Sequence, residues 1–276
     1  MRVDSHVHFW QFNSVRDAWI DDTMPVLRRD FLPTDVAPAL TAAGIDAVLA
    51  VQADQSEAET DFLLALAARQ QSICGVVGWI DLRADDLDEQ LGRRRGARRL
   101  KGFRHIAQAE PDDFLMRPDV RAGITKLGAA GFTYDILIHA RQLAAAEDLV
   151  ARCGGVQFVL DHGAKPPIAG GDLSAWRRAI EFIARHPNVV CKVSGLITEA
   201  RWTAWQDGDI VPCLDTLASA FGPERLMFGS DWPVCLLAGE YARVVELVET
   251  WAMRLTAREH AHVFGDTAVS VYRLEA

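Results

Sequence analysis

The sequence is short of paired thiols, of basic charge and of long apolar runs. Its 276 residues hold five cysteines, Cys74, Cys153, Cys191, Cys213 and Cys235. The count is odd and no CxxC occurs, so neither a disulfide framework nor a thiolate zinc site is expected. No uninterrupted apolar stretch reaches the ~18 residues that a membrane-spanning helix needs. The opening residues Met1, Arg2, Val3, Asp4 and Ser5 carry no apolar signal stretch. A cytoplasmic setting is the expectation, with thiols kept reduced. Lys and Arg number 29 against 38 Asp and Glu, a net charge of −9. A chain of that sign with no basic stripe is a poor partner for nucleic acid or an anionic membrane. Its one basic run, Arg93, Arg94, Arg95, Arg98 and Arg99, reads as a solvated helix face.

No Pro/Gly/Ser linker or shift of composition divides the chain, so one domain over residues 1–276 is expected. Half of the residues are hydrophobic, enough for a large core. They fall into eight short β-rich runs: Arg2–Phe9, Ala47–Ala53, Ile73–Ile80, Leu100–Ile106, Tyr134–His139, Phe158–His162, Val189–Ser194 and Leu226–Ser230. None has an interior proline, as buried parallel strands require. Between them lie amphipathic stretches with helix punctuation. Pro33-Thr34 opens one that runs into Gly44, Ser56 with Glu59 resembles a capping box, and Gly222-Pro223 stops another. Eight strands alternating with helices over this length predict one (β/α)₈ barrel, with a doubly wound open sheet as the alternative.

A barrel of this kind collects its chemistry at the C-terminal ends of its strands, so polar residues there carry the argument. Strand 1 ends His6-Val7-His8, and alternation puts both imidazoles on one side, where they can bind a cation or hold a carbonyl oxygen. Strand 8 runs into Asp231, a carboxylate that needs a donor or cation where it enters the core; a helix cap is its plain reading. Strand 6 ends Asp161-His162, with His162 either a site residue or a satisfied core histidine. Strand 5 ends at His139. Arg104 and Lys192 read either as substrate contacts or as structural ion pairs. His105, Gln52 and Trp79 also stand at strand ends, Gln52 and Trp79 placed to line a pocket, although Trp79 reads equally well as core. Each of the eight strands thus delivers a polar or aromatic group to the same rim. The segment Gln11–Arg29, with Trp19, is expected to fold over the mouth.

With the HxH of His6 and His8 ending the first strand and Asp231 ending the last, the sequence resembles the amidohydrolase superfamily. Further stretches are similar to its sugar-lactone hydrolase branch: Asp4 to Trp10, Gly78 to Leu82, Lys101 to His105, Val159 to His162 with Lys165-Pro166, Cys191 to Leu196 with Glu199-Ala200, and Met227 to Val234. The resemblance implies hydrolysis of a cyclic ester of a sugar acid, such as L-fucono- or L-rhamnono-lactone. It implies Asp231 as the base acting on water, His6, His8 and His162 as the groups polarising the carbonyl, and Arg104, His105 and Lys192 as contacts to substrate oxygens. The alkoxide released on ring opening needs a proton, which a histidine can give. One divalent ion, zinc foremost, is implied as an optional cofactor. His6, His8, His139 and Asp231 are its expected ligands, an N₃O₁ set suited to zinc. The alternative is a zinc-dependent amidohydrolase or decarboxylase on the same barrel, resting on His139. The expected partner is a small-molecule lactone; oligomeric state has no signal in the sequence.

Overall fold

The computed structural model describes residues 1–275. Eight parallel strands follow one another in sequence order around a single sheet: β1 (Val3–Val7), β2 (Ala47–Val51), β3 (Ile73–Gly78), β4 (Leu100–His105), β5 (Thr133–Ile136), β6 (Phe158–Leu160), β7 (Val189–Val193) and β8 (Leu226–Phe228). The sheet closes between its first and last strands just past their ends. His8 N donates to the Trp232 carbonyl at 2.7 Å and Asp231 N to the His6 carbonyl at 2.9 Å. The (β/α)₈ barrel is therefore the fold, and each strand lies where the apolar runs placed it. Every strand stops one to three residues earlier than the sequence pattern suggests. That difference matters, because His8, His139, His162 and Asp231 all stand beyond the last strand residue.

The main helices are α1 (Pro33–Ala42), α2 (Glu57–Arg69), α3 (Leu87–Arg94), α4 (Pro118–Ala129), α5 (Leu143–Arg152), α6 (Ser174–Ile183), α7 (Asp207–Phe221), α8 (Tyr241–Ala252), α9 (Ala257–Ala261) and α10 (Thr267–Tyr272). Ser56 caps α2 by accepting from Glu59 N at 3.2 Å. The Glu59 carboxylate turns instead to Ala53 N, at 3.1 Å, so only half of the expected capping box forms. Of the basic run, Arg93 pairs with Glu89, Arg94 with Asp61 and Glu57, and Arg98 with Glu275.

Alternation along the strands splits the core in two. Val48, Ala50, Phe103, Phe158, Leu160 and Phe228 join the helices in one large cluster. Leu49, Val51, Val77, Val159, Val190 and Met227 form a second cluster with no other helix than α10. The second set fills the barrel. Tyr272 of α10 belongs to it and is fully buried, its hydroxyl donating to Asp135 Oδ2 at 2.6 Å. All five cysteines are buried and unpaired. Among the described residues, no helix is long and apolar enough to cross a membrane.

Candidate active site

The inward positions near the strand ends are polar. Lys192 on β7, Asp135 on β5, Asp161 after β6 and Arg104 on β4 all point into the barrel and are at most 3% exposed. Lys192 Nζ stands 2.6 Å from Asp135 Oδ2, 3.0 Å from Asp161 Oδ1 and 3.3 Å from His6 Nδ1. Arg104 Nη1 donates to Asp161 Oδ2 at 3.0 Å and approaches His6 Nε2 to 3.2 Å. Burial alone would raise the Asp161 carboxyl; Lys192, His6 and Arg104 outweigh it and hold it well below the usual carboxylate range. Buried charges survive only when paired in this way.

One layer higher, His6, His8, His162 and Asp231 meet. The Nε2 atoms of His6 and His8 are 3.2 Å apart. Asp231 Oδ1 lies 3.7 Å from His6 Nε2, 3.4 Å from His8 Nε2 and 4.0 Å from His162 Nε2. His162 Nδ1 pairs with Ser194 Oγ at 2.8 Å. Burial pushes His162 down to about 4, so the ring is neutral at neutral pH. Burial would raise Asp231, yet His162, His8 and His6 hold its carboxyl far below the usual range, and it stands ionised. Gly195, with φ of +61°, closes one side: a Cβ there would lie 2.6 Å from His162 Nδ1 and 3.1 Å from Asp231 Oδ2.

His162 reaches this cluster by an unusual backbone. Alternation would send it outward with Phe158 and Leu160. Instead β6 stops at Leu160, and His162, Gly163, Ala164 and Lys165 have φ of 55°, 55°, 59° and 51°. That is a turn of left-handed helix, costing about 1 kcal/mol or more at each non-glycine residue. Asp231 is also left-handed, with φ of 60°. Backbone strain of this kind collects at functional sites.

Above the cluster opens a cavity of about 320 Å³, near the lower end for small-ligand sites. It is lined by His8, Arg104, His162 and Asp231 together with Trp10, Trp19, Gln55, Gln108, Leu137 and Lys165. The segment after β1 does fold over the mouth. Trp19 packs edge-on against Trp10 with ring centroids 6.0 Å apart. Gln108 Oε1 is a buried acceptor with no partner.

The remaining expected residues lie elsewhere. His105 shares the outward side of β4 with Phe103; it stacks on Phe114 at 4.7 Å and pairs with Glu110 at 3.0 Å. Trp79 goes with it, its Nε1 3.4 Å from His105 Nδ1. Neither lines the cavity. Gln52 is fully buried beneath it, Oε1 accepting from Arg104 at 3.1 Å. It is bonded to Arg104 and does not line the cavity. Lys192 is sealed below His6 and is the ion-pair partner of two aspartates. His139 is not brought to His6, His8 and Asp231. Strand β5 ends at Ile136, and His139 becomes the first residue of a turn, its N–H donating to Gln142 Oε1 at 3.0 Å. Burial and the nearby Lys165 ammonium lower its pKa.

The amidohydrolase model matches residues 3–274. The chain belongs to the amidohydrolase family. Among its curated relatives is the L-fucono-1,5-lactonase of Burkholderia multivorans, 45% identical over 99% of this chain and 96% of that one. The L-fucono-1,5-lactonase of Burkholderia ambifaria is 34% identical over the same shares. A crystal structure of an amidohydrolase from Burkholderia multivorans with bound zinc is 45% identical, covers 100% of both chains and superposes with a TM-score of 0.97.

Three atoms of this amidohydrolase could hold a metal ion: one each from His6, His8 and Asp231. Their separations of 3.2, 3.4 and 3.7 Å bracket the edge of about 3.3 Å that a tetrahedral site with bonds of about 2.0–2.1 Å requires. His8 Nδ1 lies 2.8 Å from the Val51 carbonyl. Donation there leaves a bare lone pair at Nε2. Two ring nitrogens facing each other beside a carboxylate need a shared proton or a cation, so the donor set fits one ion. A second triple, His6, Asp161 and His162, also lies within ligand reach. There the ammonium of Lys192 and the guanidinium of Arg104 already supply the positive charge to Asp161.

Proposed function

We propose that this chain hydrolyses the cyclic ester of a sugar acid, with an L-fucono- or L-rhamnono-type lactone as the substrate class. The observation that carries the reading is an ionised aspartate and two histidines lining a small cavity, with His6 packed against them, in a chain 45% identical to an L-fucono-1,5-lactonase. Asp231 takes the proton of the attacking water. His162, its Nδ1 held by Ser194, presents Nε2 to the carbonyl, and a donor preset there acts most strongly as the oxygen gains charge. Arg104 carries a fixed positive charge to the same place, and Gln55 and Gln108 meet ring hydroxyls. Trp10, Trp19 and Leu137 exclude water from the apolar side of the ring. His6, His8 and Asp231 would hold one zinc ion, which when bound polarises the carbonyl or acidifies the water. We read the whole chain as one barrel domain, working in the cytoplasm.

A panel of aldono-lactones, followed by proton release at neutral pH, tests the reading. Turnover of at least one 6-deoxy-sugar lactone is expected; a panel with no turnover at all refutes it. The three-donor cluster also supports a second reading, zinc-dependent hydrolysis of an amide or a decarboxylation. That reading predicts activity lost on chelation and regained only with zinc. It is the weaker of the two, because His139, its expected strand-5 ligand, stands outside the cluster.

A further inference from the structure

The left-handed turn after β6 does more than aim His162. One turn later it carries Lys165 to the same cavity, since residues three apart on a helical turn share a face. The turn is closed by Lys165 N donating to the His162 carbonyl at 2.9 Å, and pinned by Trp176 Nε1 donating to the Gly163 carbonyl at 2.7 Å. Lys165 Nζ stands 3.4 Å from Glu199 Oε1, and both side chains keep about a fifth of their surface, 20% and 21%, open to solvent.

Opening a lactone demands a proton that the floor of the cavity is poorly placed to give. When the ring C–O bond breaks, its electron pair goes to the ring oxygen, which must be protonated to leave as an alcohol. Asp231 accepts protons. Arg104 does not surrender one. His6 does not line the cavity, His8 donates to the Val51 carbonyl and so turns a bare lone pair inward, and His162 is engaged with Asp231 and the substrate carbonyl. Lys165 is the ammonium that lines the cavity and also touches solvent.

We propose that Lys165 is the acid that protonates the leaving ring oxygen, with Glu199 holding its ammonium toward the cavity. This rests on the lactonase reading above. Asp231 takes one proton as water bonds to the carbonyl carbon. Lys165 gives one proton to the ring oxygen as the ring C–O bond breaks. Asp231 then releases its proton to solvent, and the Lys165 amine regains one there. The new carboxylic acid ionises, so one proton leaves per lactone opened.

The test compares the parent, Lys165→Ala and Lys165→Arg on the best aldono-lactone of the panel, with and without added amines. Arginine keeps the charge and gives no proton. Both variants are expected to lose about 100-fold or more in kcat, with KM changed less than about threefold. Methylammonium should restore at least about tenfold of the loss in Lys165→Ala, and tetramethylammonium should restore none. Three results overturn the proposal: Lys165→Arg within tenfold of the parent, a loss confined to KM, or equal effects of the two amines. If the parent itself opens no lactone, the lactonase reading fails and the assignment of Lys165 falls with it; if the parent is active, the variants decide the assignment alone.

Discussion

Two layers of charge lie one above the other in this barrel. The lower layer holds Asp135, Asp161 and Lys192, all 0% exposed, with the Tyr272 hydroxyl against Asp135. Its contacts are short, 2.6 to 3.0 Å, and every charge meets an opposite one. The upper layer holds His6, His8, His162 and Asp231, the last three 4–5% exposed. Its contacts to Asp231 are 3.4 to 4.0 Å, and it is built partly on left-handed backbone. The same residue types thus do two jobs. A closed circuit of buried charge maintains the floor, while a looser set facing a cavity keeps acceptors and donors free for a guest. The comparison predicts that damage to the upper layer costs turnover at constant stability, and that damage to the lower layer costs stability first.

Asp231→Asn tests the upper layer most severely. The amide keeps the shape and cannot take a proton from water. Hydrolysis should fall by about 10³-fold or more, with the melting temperature unchanged within a few degrees. Retained turnover would remove Asp231 as the base. Lys192→Met tests the lower layer. It leaves Asp135 and Asp161 without their shared ammonium, and breaking a buried pair from one side costs about 3–5 kcal/mol. Calorimetry should show melting lowered by about 10 °C. If this variant melts like the parent and loses only turnover, the division between the layers is wrong. Gly195→Ala is the milder test of the upper layer. Its methyl would press on the ring of His162 from 2.6 Å. Steady-state kinetics should record a fall in kcat of about 10–100-fold in a folded protein, a shift in His162 rather than a collapse.

Much of this was readable from the sequence. The eight apolar runs located every strand, and the HxH of β1 and the aspartate after β8 fell together because both lie at the seam where the barrel closes. Alternation was the tool that failed, and it failed where strands end. Asp161 received no role because His162 was placed by the strand rule. In the structure, Asp161 follows that rule inward and His162 breaks it through positive φ. No residue-level pattern announces a left-handed histidine. On β4 the rule worked against expectation: Arg104 and His105 are neighbours, so only one enters the barrel, and the phenyl ring of Phe114 receives the other. Lys192 was ambiguous because a lysine in an apolar strand looks the same with substrate above it or two carboxylates beside it. Lys165 lay in a motif with no chemistry assigned, since only the turn before it brings it to the cavity.

His139 offers the smallest expected effect and the finest test of the boundary. Its place at the end of the expected fifth strand groups it with the metal ligands. Two residues of chain, Leu137 and Ile138, separate the strand end from His139, and they turn it toward Gln142 and Lys165. His139→Ala should therefore leave kcat within about twofold of the parent and leave the zinc content, measured by elemental analysis after zinc loading, the same as the parent's. Removing a true ligand or its hydrogen-bonded support would cost about 10–100-fold in affinity or activity. A loss of that size would extend the upper layer to β5 and restore the zinc-dependent reading. A loss below twofold leaves the upper layer as His6, His8, His162 and Asp231, with Lys165 above it.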